Sequence, residues 1–181
     1  MSLGPVIAVV GPSGVGKDSV MRALSARQPG YRVVRRVITR PAAKSEDFEP
    51  VSEARFEQMQ LEGAFALHWR AHGLLYGVPA RIERIREGAR GVLVNLSRGV
   101  LGEAQARFGD MITVSLSASP DILARRLESR GREDDADRSR RLARAASPLP
   151  TGLARVIELD NSGTLDATVT TLLDRLQPES A

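Results

Sequence analysis

The chain has 181 residues, of which 42% are hydrophobic and 27% are charged, with a formal net charge of +4 and no cysteine. This composition fits one globular domain with a substantial core. It excludes a disulfide-stabilised scaffold and a membrane span, because cysteine is absent and no apolar run approaches the roughly 18 residues that a span requires. The chain reaches its first apolar run almost at once, which leaves no room for a signal peptide and predicts a cytoplasmic protein with no membrane partner.

Apolar patterning predicts strands that alternate with helices in most of the chain. The predicted strands are 5–10, 31–38, 91–95, 111–116 and 155–159, and the predicted helices are 17–28, 99–107, 119–129 and 164–176. Such alternation is typical of an α/β fold with a parallel sheet, helices on both faces and a ligand at the carboxyl ends of the strands.

Two stretches depart from this alternation. Residues 39–90 contain predicted helices at 52–62 and 80–87 around a segment at 64–71 and the turn His72-Gly73. We interpret this stretch as a small insertion, with Phe65 and Trp69 in its own core, into one domain whose main body is 1–38 and 91–181. The charged stretch 130–137 has no apolar anchor, which predicts a mobile lid that excludes water, followed by a helix to about Ala146.

The first strand leads into a glycine-rich loop, Gly11-Pro-Ser-Gly-Val-Gly-Lys17, and a predicted helix follows. The pattern G-x-x-x-x-G-K between a strand and a helix predicts a phosphate-binding loop, or P-loop, in which backbone N–H groups converge on phosphate and Lys17 reaches the β- and γ-phosphates. The alternative is a glycine-rich turn without a ligand. The predicted nucleotide-binding residues here are Gly11, Pro12, Ser13, Gly14, Val15, Gly16, Lys17, Asp18 and Ser19.

Asp18 follows the lysine at the position where a P-loop normally has the Ser or Thr that holds Mg²⁺. A carboxylate oxygen suits this hard cation, so Asp18 is a candidate magnesium ligand, with Ser19 as the alternative. Asp18 could instead only complement the dipole at the helix N-terminus. We expect Mg²⁺ as the cofactor, with ATP as the phosphoryl donor.

Arginines cluster on both sides of the predicted lid. Phosphoryl transfer requires positive charge around the transferring group, so we expect at least two of these arginines to be functional and the others to be solvated helix-face charges. The cluster comprises Arg125, Arg126, Arg130, Arg132, Arg138, Arg140 and Arg141. The four Phe, two Tyr and one Trp offer little base stacking, so we expect no nucleic-acid partner.

Six segments resemble the guanylate kinase-like branch of P-loop kinases in order and spacing. They are GPSGVGKDS (11–19), TRP (39–41), HGLLYGVP (72–79), RRLESRG (125–131), RRLARA (140–145) and DNSG (160–163). Within that branch, GKDS, HGLLYGVP and VNLSRG (94–99) most resemble the ribose 1,5-bisphosphate phosphokinases, which form 5-phosphoribosyl 1-diphosphate during phosphonate breakdown. The resemblance implies a P-loop NTPase fold and places the acceptor in the insertion.

The resemblance also implies roles for single residues, by alignment with the family's motifs. The family's transition-state arginines align with Arg126, Arg130 and Arg141, which join Lys17 as predicted catalytic residues. The family's acceptor-phosphate arginine aligns with Arg40, and one of its acceptor tyrosines aligns with Tyr76. Contacts to the adenine side are implied for Asn161 and Ser162.

Several departures from the family pattern argue against guanylate as the acceptor. The second acceptor arginine is replaced by Ala43, and two guanine-reading carboxylates align with Leu67 and Leu96. Leucine cannot hydrogen-bond to guanine, and a site that loses such pairing rejects its ligand by roughly 10⁴-fold. A phosphorylated sugar without a base fits this loss. The basic residues available for its two phosphates are Arg40, Lys44, Arg70 and Arg81.

We therefore predict an enzyme that phosphorylates ribose 1,5-bisphosphate from ATP, with small-molecule substrates as its partners. The alternatives are guanylate kinase or another nucleoside monophosphate kinase, a non-catalytic guanylate kinase-like binding module, and a nucleic-acid binder. The glycines and lysine of the loop favour an enzyme over a binding module, because such modules tend to lose this loop.

Overall fold

The computed structural model describes residues 2–42, 46–129 and 148–177. Its strands are β1 Val6–Val10, β2 Tyr31–Val33, β3 Arg36–Ile38, β4 Phe48–Pro50, β5 Phe65–Ala71, β6 Leu74–Pro79, β7 Gly91–Asn95, β8 Ile112–Ser117 and β9 Arg155–Asp160. Its α-helices are α1 Lys17–Arg27, α2 Glu53–Leu61, α3 Ile82–Ile85, α4 Leu101–Arg107, α5 Pro120–Ser129 and α6 Leu165–Leu176.

A five-stranded parallel sheet in the order β2-β7-β1-β8-β9 forms the centre of the fold. Every residue of β1 is fully buried, because helices cover both faces of the sheet. Ile7 and Val9 pack in a core cluster with Leu24 of α1 and Leu172 of α6. The alternate residues of β1 pack in a second cluster with Leu101 of α4. This arrangement confirms the predicted α/β fold with a parallel sheet and helices on both faces.

A second sheet, in the order β4-β3-β6-β5, lies in the middle of the chain. Strands β5 and β6 form an antiparallel hairpin, and β3 pairs with β6 antiparallel and with β4 parallel. The hairpin turns through His72 and Gly73, which have φ values of 53° and 73°. The insertion predicted from the sequence is therefore largely a β-sheet. The helix predicted at 80–87 is shorter, because α3 comprises only Ile82–Ile85.

The single strand predicted over 31–38 is wrong in one respect, because this segment forms two strands in different sheets. Val34 still follows the β2 register, since its N–H donates to the Leu93 carbonyl at 2.9 Å. Two residues later Arg36 pairs with Phe48 in the second sheet. The adjacent pairs Val33-Val34 and Arg35-Arg36 interrupt the alternating hydropathy where the chain changes sheet. A bulge within one continuous strand would interrupt it in the same way, so the pattern does not reveal the change.

Several predicted features lie outside the described residues. They are the lid at 130–137, the helix that follows it, Lys44, Arg130 and Arg141. In the three described ranges, no helix combines the length and apolar character needed to cross a membrane.

Candidate active site

A cleft of about 790 Å³ opens between the glycine-rich loop and the second sheet. It lies where β1 and β7 end, which is the usual ligand position in a parallel α/β sheet. Lys17, Asp18 and Ser19 line one side, and Arg40 and Tyr76 line the other side. The structure thus brings most of the predicted nucleotide-phosphate residues into one cavity with Arg40 and Tyr76, whereas Val15 does not line it and Lys44 lies outside the described residues.

The loop has the backbone geometry that its glycines allow. Gly14 and Gly16 have φ values of 84° and 98°, which a side chain disfavours. A Cβ atom on Gly16 would lie 2.8 Å from the Nδ2 atom of Asn161. The α1 helix begins immediately afterwards, at Lys17, whose ammonium donates to the Gly11 carbonyl at 2.7 Å. The predicted strand, loop and helix therefore follow each other as expected.

Asn161 and Arg126 support the loop through its carbonyl groups. The Nδ2 group of Asn161 donates to the Val15 carbonyl at 2.7 Å, and its Oδ1 atom accepts from the Thr168 hydroxyl at 2.7 Å. The Arg126 guanidinium donates to the carbonyls of Val15 at 3.0 Å and Asn161 at 2.9 Å. Both side chains position the loop in this structure, while an adenine contact from Asn161 and a transition-state contact from Arg126 stay predictions.

Ser162, the other predicted adenine contact, is held in a polar turn. Its Oγ atom accepts from the Ser119 N–H at 2.8 Å, and its own N–H donates to the Asp160 carboxylate at 2.8 Å. Hydrogen bonds from the side chain and the backbone of Ser162 lower the pKa of Asp160. The turn is therefore fixed to the start of α5, and nucleotide binding by Ser162 stays a prediction.

Arg40, the predicted acceptor-phosphate residue, forms an ion pair with Glu46 and lies over the Phe48 ring at 4.7 Å from its centroid. Burial alone would raise the pKa of Glu46, but the hydrogen bond from Arg40 and the charges of Arg40, Arg36 and Lys17 outweigh burial and lower it. Because Lys17 also lowers the pKa of Glu46, the loop lysine and the arginines of the second sheet act electrostatically on the same carboxylate.

Glu46→Gln gives a pH-dependent test of this arrangement. The pKa of Glu46 is lower in the folded protein than its ordinary value of 4.5, so its ionised form stabilises the fold above that pH. This contribution is lost as the pH falls through the folded value. We expect wild type to have the higher free energy of unfolding at neutral pH and the difference to vanish in strong acid. Urea denaturation of both proteins as a function of pH measures the difference in the free energy of unfolding. A difference that does not change with pH would contradict a lowered pKa of Glu46.

An aromatic pair forms part of the cleft wall. The rings of Trp69 and Tyr76 stack with centroids 5.4 Å apart and an interplanar angle of 6°. The indole N–H of Trp69 donates to Ser97 Oγ at 3.1 Å. Trp69 packs in the core as predicted, but it also lines the cleft, which was not expected. Phe65 is half-buried, and its ring stacks on that of the buried Phe56 with centroids 4.5 Å apart.

The remaining acceptor candidates differ in their positions. Arg70 lines the cleft and forms an ion pair with Glu53 at 3.6 Å, whereas Arg81 is exposed and does not line it.

Leu96 is buried and lines the cleft, and Leu67 is buried in the core. Apolar side chains therefore occupy both positions that align with the guanine-reading carboxylates.

Arg36 is one of several cleft residues that the sequence interpretation missed. It is 9% exposed, lines the cleft from β3, and lies with its guanidinium carbon 5.4 Å from the centroid of the Tyr76 ring. Burial lowers its pKa, while the nearby charges of Glu46 and Asp18 act in the opposite direction. The sequence offered no clear signal for it, because Arg36 is one of three arginines in the segment 31–38.

The predicted magnesium ligands fit the chemistry of a nucleotide-bound cation. Asp18 is partly buried at the cleft edge, and its Oδ2 atom accepts from the Asp47 N–H at 3.4 Å, while Ser19 is exposed beside it. The described residues contain no cluster of three or more metal-binding side chains. Mg²⁺ in kinases needs only one or two protein carboxylates, because phosphates and water supply the other ligands. Asp18 meets that requirement.

The matching family model is described as an AAA domain and covers residues 7–146. A guanylate kinase from Anaplasma phagocytophilum has a TM-score of 0.67 at 18% identity, over 97% of this chain and 85% of that chain. A gluconokinase from Sinorhizobium meliloti has a TM-score of 0.57 at 20% identity, over 97% and 93%. The fold is that of the P-loop NTPases, in its guanylate kinase-like form.

Curated relatives define the family within that class. Ribose 1,5-bisphosphate phosphokinase PhnN of a Ruegeria species is 57% identical over 179 residues, which cover 98% of this chain and 94% of the relative. The proteins of the same name from Pseudomonas paraeruginosa and Agrobacterium fabrum are 46% and 42% identical, and they cover 94% and 95% of this chain and 94% and 96% of their own lengths. The chain belongs to the ribose 1,5-bisphosphate phosphokinase family, which confirms the predicted resemblance.

Proposed function

We propose that this protein transfers the γ-phosphoryl group of ATP to the 1-phosphate of ribose 1,5-bisphosphate and forms 5-phosphoribosyl 1-diphosphate and ADP. The observation that carries the proposal is the shared cleft, which is lined both by Lys17 of the loop and by the phosphate-binding candidate Arg40. The names of the relatives support the same acceptor. We further propose a cytoplasmic role in phosphonate breakdown, without nucleic-acid or membrane partners.

The reaction requires positioning and positive charge more than covalent chemistry from the protein. An oxygen of the 1-phosphate attacks the γ-phosphorus, and the bond from that phosphorus to the β–γ bridging oxygen breaks, with its electron pair leaving on ADP. The attacking oxygen is already anionic near neutral pH, so the step needs no general base. Lys17 would bind the β- and γ-phosphates, Arg40 and Tyr76 would orient the acceptor, and Arg126, Arg130 and Arg141 would stabilise the transition state.

A magnesium ion held by Asp18, with Ser19 nearby, would neutralise the β- and γ-phosphates of ATP. Asp18→Asn is expected to lower kcat by about 10-fold and to require more Mg²⁺ for half-maximal activity, with a smaller effect on nucleotide affinity. A magnesium titration of the rate, with the nucleotide dissociation constant measured separately, provides the comparison. Asp121→Asn, which changes another first-turn acid in α5, is the control. If wild type and Asp18→Asn depended equally on magnesium, Asp18 would not bind the ion and would only complement the dipole at the N-terminus of α1.

The acceptor itself is tested with purified full-length protein, Mg²⁺-ATP and a panel of acceptors that contains ribose 1,5-bisphosphate, GMP and other nucleoside monophosphates. Formation of ADP is coupled to a spectrophotometric readout, and the phosphorylated product is identified by mass. We expect turnover with ribose 1,5-bisphosphate only. Faster turnover of GMP would identify a guanylate kinase, and absence of both nucleotide binding and turnover would favour a non-catalytic binding module.

A further inference from the structure

Arg36 is a buried cation in the wall of the cleft. Its side chain lies nine-tenths buried in the cleft wall, and among the described residues it forms no hydrogen bond and no ion pair. Its contact is with the face of the Tyr76 ring. Buried guanidinium groups normally use several of their five N–H donors, because an unpaired buried charge is costly. An anionic ligand in the cleft would supply the missing acceptors.

The nearby carboxylates do not fill this need. Glu46 is already the ion-pair partner of Arg40, and Asp18 accepts from the backbone N–H of Asp47. Glu46 and Asp18 therefore affect the pKa of Arg36 through long-range electrostatic attraction, without a direct hydrogen bond to it. Neighbouring Arg35 shows the contrast, because it is half exposed and forms an ion pair with Asp47 at 2.8 Å.

Arg36 and Arg40 can bind an acceptor with two anionic ends. Arg36 begins β3 and Arg40 lies in the bend after it, so their Cα atoms are at most about 14 Å apart, and both side chains line the same cleft. Arginine binds phosphate through two parallel charge-assisted hydrogen bonds. The flat Trp69 and Tyr76 pair forms the wall beside Arg36, where a sugar ring can pack.

We infer that Arg36 is a specificity-determining residue that binds the 5-phosphate of the acceptor, while Arg40 binds the 1-phosphate that receives the new phosphoryl group. This inference rests on the proposed function and extends it, because it explains how the site selects a sugar with two phosphates. A nucleoside monophosphate has an uncharged base where ribose 1,5-bisphosphate has its second phosphate. It would therefore leave the buried charge of Arg36 without an anionic partner.

The test compares three ligands that differ only in their phosphates: ribose 1,5-bisphosphate, ribose 1-phosphate and ribose 5-phosphate. Dissociation constants are measured by calorimetry on the full chain with Mg²⁺ and a non-hydrolysable ATP analogue. Arg36→Met is expected to weaken binding of the two ligands that carry a 5-phosphate by roughly 10- to 100-fold and to leave ribose 1-phosphate unchanged. Arg40→Met is expected to show the opposite selectivity.

Two further variants control for folding. Arg36→Lys keeps the charge but loses the bidentate geometry, so we expect a smaller loss that remains selective for the 5-phosphate. Arg32→Gln removes an exposed arginine of β2 whose guanidinium donates to the backbone carbonyls of Ile85 and Glu87, and it should leave all three constants unchanged.

Equal losses for all three ligands, or no loss for the ligands with a 5-phosphate, would overturn the role of Arg36. Failure of the proposed function looks different. In that case the wild-type protein itself neither binds nor phosphorylates ribose 1,5-bisphosphate, and both inferences are overturned together. Turnover by wild type with non-selective losses in Arg36→Met and Arg36→Lys overturns only the inference about Arg36.

Discussion

Lys17→Met is expected to lower kcat/KM by roughly 10³-fold, because it removes the positive charge that we propose binds the β- and γ-phosphates. Lys17 begins α1 and its ammonium lies over the loop, within 2.7 Å of the Gly11 carbonyl. On ATP binding this ammonium would exchange that carbonyl for phosphate oxygens. Steady-state kinetics with ATP and ribose 1,5-bisphosphate measure the effect.

The control for this variant is Arg22→Met, which removes a positive charge from the exposed side of the same helix. Its activity should match that of wild type. Thermal unfolding of both variants tests whether the lost hydrogen bond from Lys17 to the loop affects folding. Near-normal activity in a folded Lys17→Met protein would contradict the role of the loop in phosphoryl transfer.

Gly16→Ala is expected to reduce nucleotide affinity and kcat together, by about 10²-fold in kcat/KM, because small displacements in a phosphate site have large effects. The backbone of Gly16 has a φ of 98°, and the added Cβ would approach the Asn161 carboxamide to 2.8 Å. That carboxamide also holds the Val15 carbonyl, so the substitution would move the loop and its support at the same time.

A glycine-to-alanine substitution in a helix, by contrast, should stabilise the protein without affecting its activity. Gly102 lies in α4, has an ordinary φ and has no neighbouring atom within 4 Å of the position of an added Cβ. Gly102→Ala is therefore expected to raise the free energy of unfolding by about 0.5–1 kcal/mol with unchanged activity. Urea denaturation and steady-state kinetics of both variants make the comparison. If Gly16→Ala had the kinetic constants of wild type, the phosphate site would not depend on the backbone conformation of Gly16.

The sequence was sufficient to predict the nucleotide side of the protein, because that side depends on local signals. The run Val6–Val10 is apolar throughout, as a strand covered on both faces must be, and the loop glycines provide the backbone conformations that follow it. The helix begins directly after them. Each of these signals lies within a few residues of the element that it predicts, so tertiary context did not have to be known.

The acceptor side was less predictable, because its organisation depends on pairing between distant segments. The change of sheet after Val34 depends on Arg36 pairing with Phe48 and on Val37 pairing with Gly77. Hydropathy cannot distinguish that arrangement from one continuous strand. The significance of Arg36 was missed for the same reason, since a charge in a strand is normally assigned to the solvent face until the packing of both faces is known.

The connection between the two sheets has a consequence for how new acceptor preferences can evolve. Strands β2 and β7 are hydrogen-bonded neighbours, and backbone bonds join Val34 to Leu93 and Gly30 to Arg90. Residues 34–90 therefore leave and rejoin the central sheet at adjacent points. The segment nevertheless packs against the central sheet, because Leu67 and Ile82 lie in one core cluster with Ala8 of β1. A new acceptor preference would therefore require changes in 34–90 that preserve this packing, together with changes at Leu96, which lines the cleft from outside that stretch.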